Sequence, residues 1–135
     1  MKNYHFSAAL HIMTLLARDE QAWLTSGQIA SSMNVQAAAV RKEISCLRTA
    51  GLVECREGKH GGIRLARPAS GIRLSEIYES VTPAALLEKI KSPNSTCFVG
   101  KQINLQLDRL FLTLNKAFLG ELKRMSLAQF YHQFH

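Results

Sequence analysis

At Gly51 the apolar pattern of this chain changes period, and no other feature constrains the fold as much. Before it, apolar residues recur every three or four positions; after it, they alternate. Val40, Ile44 and Leu47 form one helical stripe within residues 36–50. Gly51 sits where a helix C-terminal glycine belongs, and Leu52 supplies the accompanying apolar contact. Val53 and Cys55 then alternate with Glu54 and Arg56, Gly58-Lys59-His60-Gly61-Gly62 turns the chain, and Ile63 and Leu65 return around Arg64. That pattern predicts a β-hairpin with a glycine-rich, basic tip.

Upstream of the stripe, Thr25-Ser26-Gly27-Gln28 has the spacing of a capping box and opens a short helix. Ile29, Ala30 and Met33 face inward in that helix, and Asn34 ends it. An earlier helix spans residues 5–18, with Ala8, Ile12, Leu15 and Leu16 on one face and Trp23 and Leu24 expected to pack against it. Helix, capped helix, tight turn, helix and basic hairpin is the order of a winged helix-turn-helix. The expected fold is mainly α with a small β-hairpin wing.

The remainder is a linker at residues 68–71, a helix over 75–81 interrupted at Pro83, a loop over 91–101 and a long helix over 102–125. Along that last helix, Ile103, Leu107, Leu110, Leu114, Phe118, Leu122 and Met125 form one apolar line and Leu105, Leu112 and Leu119 a second. Two lines exceed what docking on its own domain requires, so a homodimer is expected, with Ile103, Leu107, Leu110, Leu114, Phe118 and Leu122 at the interface. The domain reading is therefore 1–82 for the winged helix-turn-helix, 83–101 for a linker bearing Cys97, 102–126 for the dimerisation helix and 127–135 for a tail.

Net charge points to a polyanionic partner, nucleic acid or an anionic membrane, and its distribution says more. The 135 residues carry a formal net charge of +7. Between Gln36 and Arg73 eight Lys/Arg stand against three Glu, so most of the surplus lies in the second helix, the hairpin and their flanks. A surplus there suits double-stranded DNA. Gln36, Ala37, Ala38 and Arg41 are the candidates for base edges, where Arg pairs with guanine, Gln with adenine and an Ala methyl meets thymine. Thr25, Ser26, Lys42 and Arg48 are assigned to phosphates. In the wing, Arg56, Lys59, His60 and Arg64 surround Gly61 and Gly62, whose lack of a side chain permits close approach to the DNA backbone.

The motifs Leu47-Arg48-Thr49-Ala50-Gly51-Leu52-Val53, Gly58-Lys59-His60-Gly61-Gly62-Ile63-Arg64-Leu65-Ala66-Arg67-Pro68 and Ile72-Arg73-Leu74-Ser75-Glu76-Ile77, with Thr25-Ser26 and Ile29-Ala30 upstream, resemble the signature of the Rrf2 (IscR-type) winged-helix regulators. The resemblance covers residues 1–125 and implies a dimeric bacterial transcription regulator, usually a repressor, that reads a palindrome and answers a redox, metal-cluster or metabolite signal. Two departures stand out. Gln36-Ala37-Ala38 replaces the family's frequent Ser-Pro-aromatic start of the recognition helix, which leaves the operator sequence open. Iron–sulfur members carry three cysteines in the loop before the long helix, whereas this chain has Cys97 alone, so no iron–sulfur cluster and no other cofactor is expected. The stretch from Asn94 to Gly100 is closer to the cluster-free YwnA-like branch.

Cys97, near a helix N-terminus, is the candidate redox thiol, against the alternative of a small side chain packed under its loop. Cys46 is read as partly exposed, Cys55 as buried, and His132 and His135 as members of a polar tail. No metal site, catalytic triad, phosphate loop or carboxylate pair is read, and no enzyme is expected. A winged-helix protein-interaction module is the competing reading and a thiol redox enzyme a weaker one. Convergent cations disfavour the first, and the lack of any Cys-x-x-Cys disfavours the second. An effector pocket would be expected between the wing domain and the long helix. Neither a signal peptide nor a membrane span is read, and three cysteines without framework spacing suit a reducing bacterial cytoplasm.

Overall fold

The computed structural model describes residues 4–82 and 89–135; the interruption read at Pro83 lies outside them. Helices α1 (His5–Arg18), α2 (Ser26–Met33) and α3 (Ala37–Thr49) precede strands β1 (Val53–Arg56) and β2 (Gly62–Leu65). A 3₁₀ turn at Ala69–Gly71 leads into α4 (Leu74–Val81), followed by α5 (Ile103–Lys123) and α6 (Leu127–Tyr131). The expected mainly α fold with a two-stranded wing is the observed one.

Local chemistry explains each boundary. The Thr25 hydroxyl accepts from the Gln28 amide at 3.1 Å, and the Thr25 amide donates to the Gln28 side chain at 2.8 Å, which closes the capping box of α2. Asn34 ends α2 with a left-handed backbone at φ 57°. At the end of α3 the Gly51 amide donates to the Arg48 carbonyl and the Leu52 amide to that of Leu47, a Schellman closure made possible by Gly51 at φ 77°. The closure drives Leu52 into the core and aims the chain along β1.

One core takes fully buried residues from every element except α5. Ile12, Met13 and Leu16 of α1 meet Ile29 of α2, Val40 and Leu47 of α3, and Ile72 and Ile77 around the start of α4, all essentially without solvent contact. Glu76 fixes the start of α4 by accepting from the Arg73 amide and the Arg67 guanidinium. Partial burial opposes its ionisation, but those donors and the two arginine charges outweigh it and hold its pKa below the usual value. This contribution to stability is present above the unfolded-state pKa and is lost as pH falls through the lower folded one.

The structure corrects the reading of residues 127–135 as a tail. Ser126 caps α6 by accepting from the Gln129 amide while its own amide donates to the Gln129 side chain. Leu127 is fully buried. Backbone bonds from Leu74 to Met125 and from Leu127 to Ile72 tie this segment to the start of α4. Leu127→Ala is expected to cost about 2–5 kcal/mol of stability in denaturant unfolding, since it opens a cavity in the common core. A change under about 0.5 kcal/mol would show that α6 is not part of that core.

Helix α5 is the exception: none of its residues is fully buried. Phe118 reaches inward, its ring edge-on to Tyr78 at 4.9 Å, and Leu122 packs against the core. These two contacts serve the chain's own fold and leave both side chains only partly buried. Leu105, Leu110, Leu112 and Leu114 remain exposed.

Candidate nucleic-acid interface

The capping box that starts α2 leaves the Ser26 and Gly27 amides without partners among the described residues. Thr25 is exposed and Ser26 half-exposed, so both stand where a phosphate could approach the positive end of α2.

The buried stripe of α3 turns Gln36, Ala38, Arg41, Lys42 and Arg48 to solvent, with Ala37 half-buried at the first turn. Ala38, Arg41 and Lys42, three and four residues apart, share one face. No carboxylate neutralises Arg41, Lys42 or Arg48 among the described residues. One acidic residue of α3 behaves differently from its composition: Glu43 is buried, one carboxylate oxygen bonded to the His5 ring and the other, Oε2, without a partner among the described residues. That polar tie joins the start of α1 to the middle of α3. Sequence reading missed it because the partners lie 38 residues apart.

In the wing, Val53 pairs with Leu65, Glu54 with Arg64, Cys55 with Ile63 and Arg56 with Gly62. Leu24 adds a third short rung, exchanging two backbone bonds with Ile63 at 3.0 and 2.7 Å. The glycines of the tip answer to this geometry. A Cβ on Gly61 would lie 2.0 Å from the Arg56 carbonyl oxygen, and one on Gly62, at φ 150°, 2.6 Å from that of Leu24. Internal packing therefore demands glycine at both positions, independently of any approach to DNA.

The wing cations differ in availability. Arg56 and Arg64 each place a guanidinium 4.3 Å from the centre of the Trp23 ring. Arg64 also donates to Glu54 at 2.6 Å, and Arg56 to the His60 carbonyl at 2.5 Å. Lys59 and His60 are exposed at the tip, and Lys59 has no ion pair among the described residues. Trp23 thus sits beneath the wing arginines rather than only against α1, a role that its spacing did not reveal. The structure brings α3 and the wing into one frame and leaves Cys97 outside it.

Cys97 is exposed in a tight turn just before α5. Asn94 organises that turn, its side chain accepting from the Thr96 amide and hydroxyl and its carbonyl from the Cys97 amide. The Gly100 and Val99 amides face the sulfur and lower the thiol pKa, against a smaller desolvation effect. Cys46 and Cys55 are both half-buried, so Cys55 is more accessible than its alternation predicts.

The Rrf2 family model, described as an iron-dependent transcriptional regulator, matches residues 3–133. The HTH-type transcriptional regulator YwnA of Bacillus subtilis is 35% identical over 94% of each chain. Among solved structures, the global cysteine regulator CymR of B. subtilis superposes with a TM-score of 0.75 at 20% identity, covering 100% of this chain and 98% of that one. IscR of T. potens superposes with a TM-score of 0.70 at 20% identity, covering 100% and 88%. At that identity the two structures establish the fold alone. The iron in the family's description finds no matching donor set: Cys97 stands alone in its loop, and no group of three or more His, Cys, Asp or Glu converges among the described residues.

Proposed function

This chain belongs to the Rrf2 family of DNA-binding transcriptional regulators, and on that premise we propose that it acts in the bacterial cytoplasm as a homodimeric repressor on a palindromic operator. The carrying observation is that Arg41, Lys42 and Arg48 of α3 and Arg56 and Lys59 of the wing make no ion pair among the described residues, and that α3 packs directly on the wing strand β1. Arg41, with Gln36, Ala37 and Ala38, reads base edges. Thr25, Ser26, Lys42, Arg48, Arg56, Lys59, His60 and Arg64 hold the phosphate backbone, with Gly61 and Gly62 shaping the tip. The exposed leucines of α5 pair the two copies. Among the described residues no helix is long and apolar enough to cross a membrane.

The test is equilibrium binding to DNA upstream of its own gene, against a scrambled duplex, over a salt series. About five Lys/Arg–phosphate contacts per protomer, or about ten in the dimer, give log K falling with log salt at a slope of about −9, with at least about 10³-fold preference for the operator. Absence of binding to either duplex at low salt would sink the reading.

Cys97 is proposed as the signal-receiving thiol. Its lowered pKa keeps a larger thiolate fraction near neutral pH than an ordinary cysteine has, so it is expected to alkylate faster than Cys46 or Cys55 and to hold that lead at lower pH. Hydrogen peroxide would oxidise the thiolate to a sulfenic acid, its O–O bond breaking with release of hydroxide. Operator binding should then fall in the wild type and persist in Cys97→Ser. Equal loss in both proteins would remove Cys97 from the signal.

A further inference from the structure

The C-terminal helix builds a feature that the DNA-binding reading does not use. Between α1 and α6 lies a cleft of about 650 Å³, within the range of small-molecule sites. Leu10 on one wall faces Phe130, Tyr131 and Phe134 on the other. The aromatic rings pack edge-on or stacked upon one another, with Phe130–Phe134 centroids 5.5 Å apart, yet Phe134 remains 57% exposed. Such an aromatic wall is a surface against which the apolar body of a small ligand can pack.

Charge indicates what that is. His11 and Arg18 both line the cleft, and no acidic side chain does. Arg18 is the last residue of α1 and makes no ion pair or side-chain hydrogen bond among the described residues. Its guanidinium offers the planar donor pair that a carboxylate matches. We propose that the α1–α6 cleft binds a small amphipathic carboxylate, its aromatic or aliphatic body against Leu10 and the α6 rings and its carboxylate at Arg18. This location differs from the one expected from sequence, between the wing domain and α5, because α6 was not foreseen. Helix α1 also packs on α3, so an occupied cleft lies one helix away from the proposed base-reading surface.

Three probes with one apolar body separate the components: 3-phenylpropanoate, 3-phenylpropan-1-ol and 3-phenylpropylamine. Calorimetric titration of the full chain without DNA keeps the outcome independent of the repressor reading. The carboxylate is expected to bind with a dissociation constant below about 1 mM, about tenfold tighter than the alcohol, with no saturable binding of the amine. Arg18→Gln should remove the advantage of the carboxylate over the alcohol. Ser7→Trp, placed at an exposed residue of the cleft wall, should fill the site and abolish both. Equal affinity for all three probes, no saturation by the carboxylate, or unchanged binding in Arg18→Gln would each overturn the proposal. Carboxylate binding that disappears as protein concentration rises would place a second copy in the cleft and overturn it as well.

Discussion

Replacing Leu110 and Leu114 together by glutamate should convert the protein to a monomer and lower operator affinity about 10²- to 10⁴-fold. In the isolated chain these side chains are 51% and 44% exposed, so the charges meet water and the fold should keep its melting temperature within a few degrees. In a dimer the same charges would enter an apolar interface without partners, at a cost that association through α5 cannot sustain. Sedimentation and operator binding on one sample therefore separate an effect on pairing from an effect on folding. Glutamate at Leu112, on the second apolar line, tells which line carries the contact: an unchanged dimer there assigns it to the first. A double variant that stays dimeric and keeps its affinity would remove α5 as the pairing element.

Trp23→Leu is expected to weaken operator binding about thirtyfold per protomer, hence about 10³-fold for the dimer. The ring lies 4.3 Å from both the Arg56 and the Arg64 guanidinium, and two partly exposed cation–π contacts are worth about 1 kcal/mol each. Leucine preserves apolar packing but has no π face, so both cations lose the surface that orients them. Because they address phosphates in this reading, two in each protomer, the salt slope of the dimer should flatten by about 4. Trp23→Phe keeps an aromatic face and should recover most of the affinity. A general loss of packing would depress both variants and leave the slope unchanged, and that result would reduce Trp23 to an ordinary core side chain. As the chain has a single tryptophan, its emission also reports directly on whether the wing is engaged.

The contrast between what sequence revealed and what it hid follows the range of the interactions. The capping box at Thr25, the left-handed Asn34 and the closure at Gly51 each depend on residues within a few positions, and all were legible. So was the face of α3, because burial of Val40, Ile44 and Leu47 fixes where Ala38, Arg41 and Lys42 point. Trp23 under the wing and Glu43 against His5 join residues more than thirty positions apart, and neither leaves a periodic trace. Phe118 and Leu122 show a different limit: periodicity identifies an apolar line but not whether the chain's own core or a partner covers it. Helix α6 was the one avoidable miss. Ser126 and Gln129 repeat the spacing of Thr25 and Gln28, but only five residues follow in the helix, too few for a hydrophobic period to register.

The rung between Leu24 and Ile63 joins the hairpin to the segment that launches α2. If α2–α3 and the wing hold DNA as proposed, this tie would make them the jaws of a caliper with little freedom to adjust their span on contact. A caliper of this kind loses little conformational entropy when it closes on a duplex, and it transfers the work of fitting to the duplex. Operators whose untouched base steps bend or narrow easily should then outrank stiffer ones that carry the same contacted bases, so part of this protein's selectivity would reside in the mechanics of the DNA.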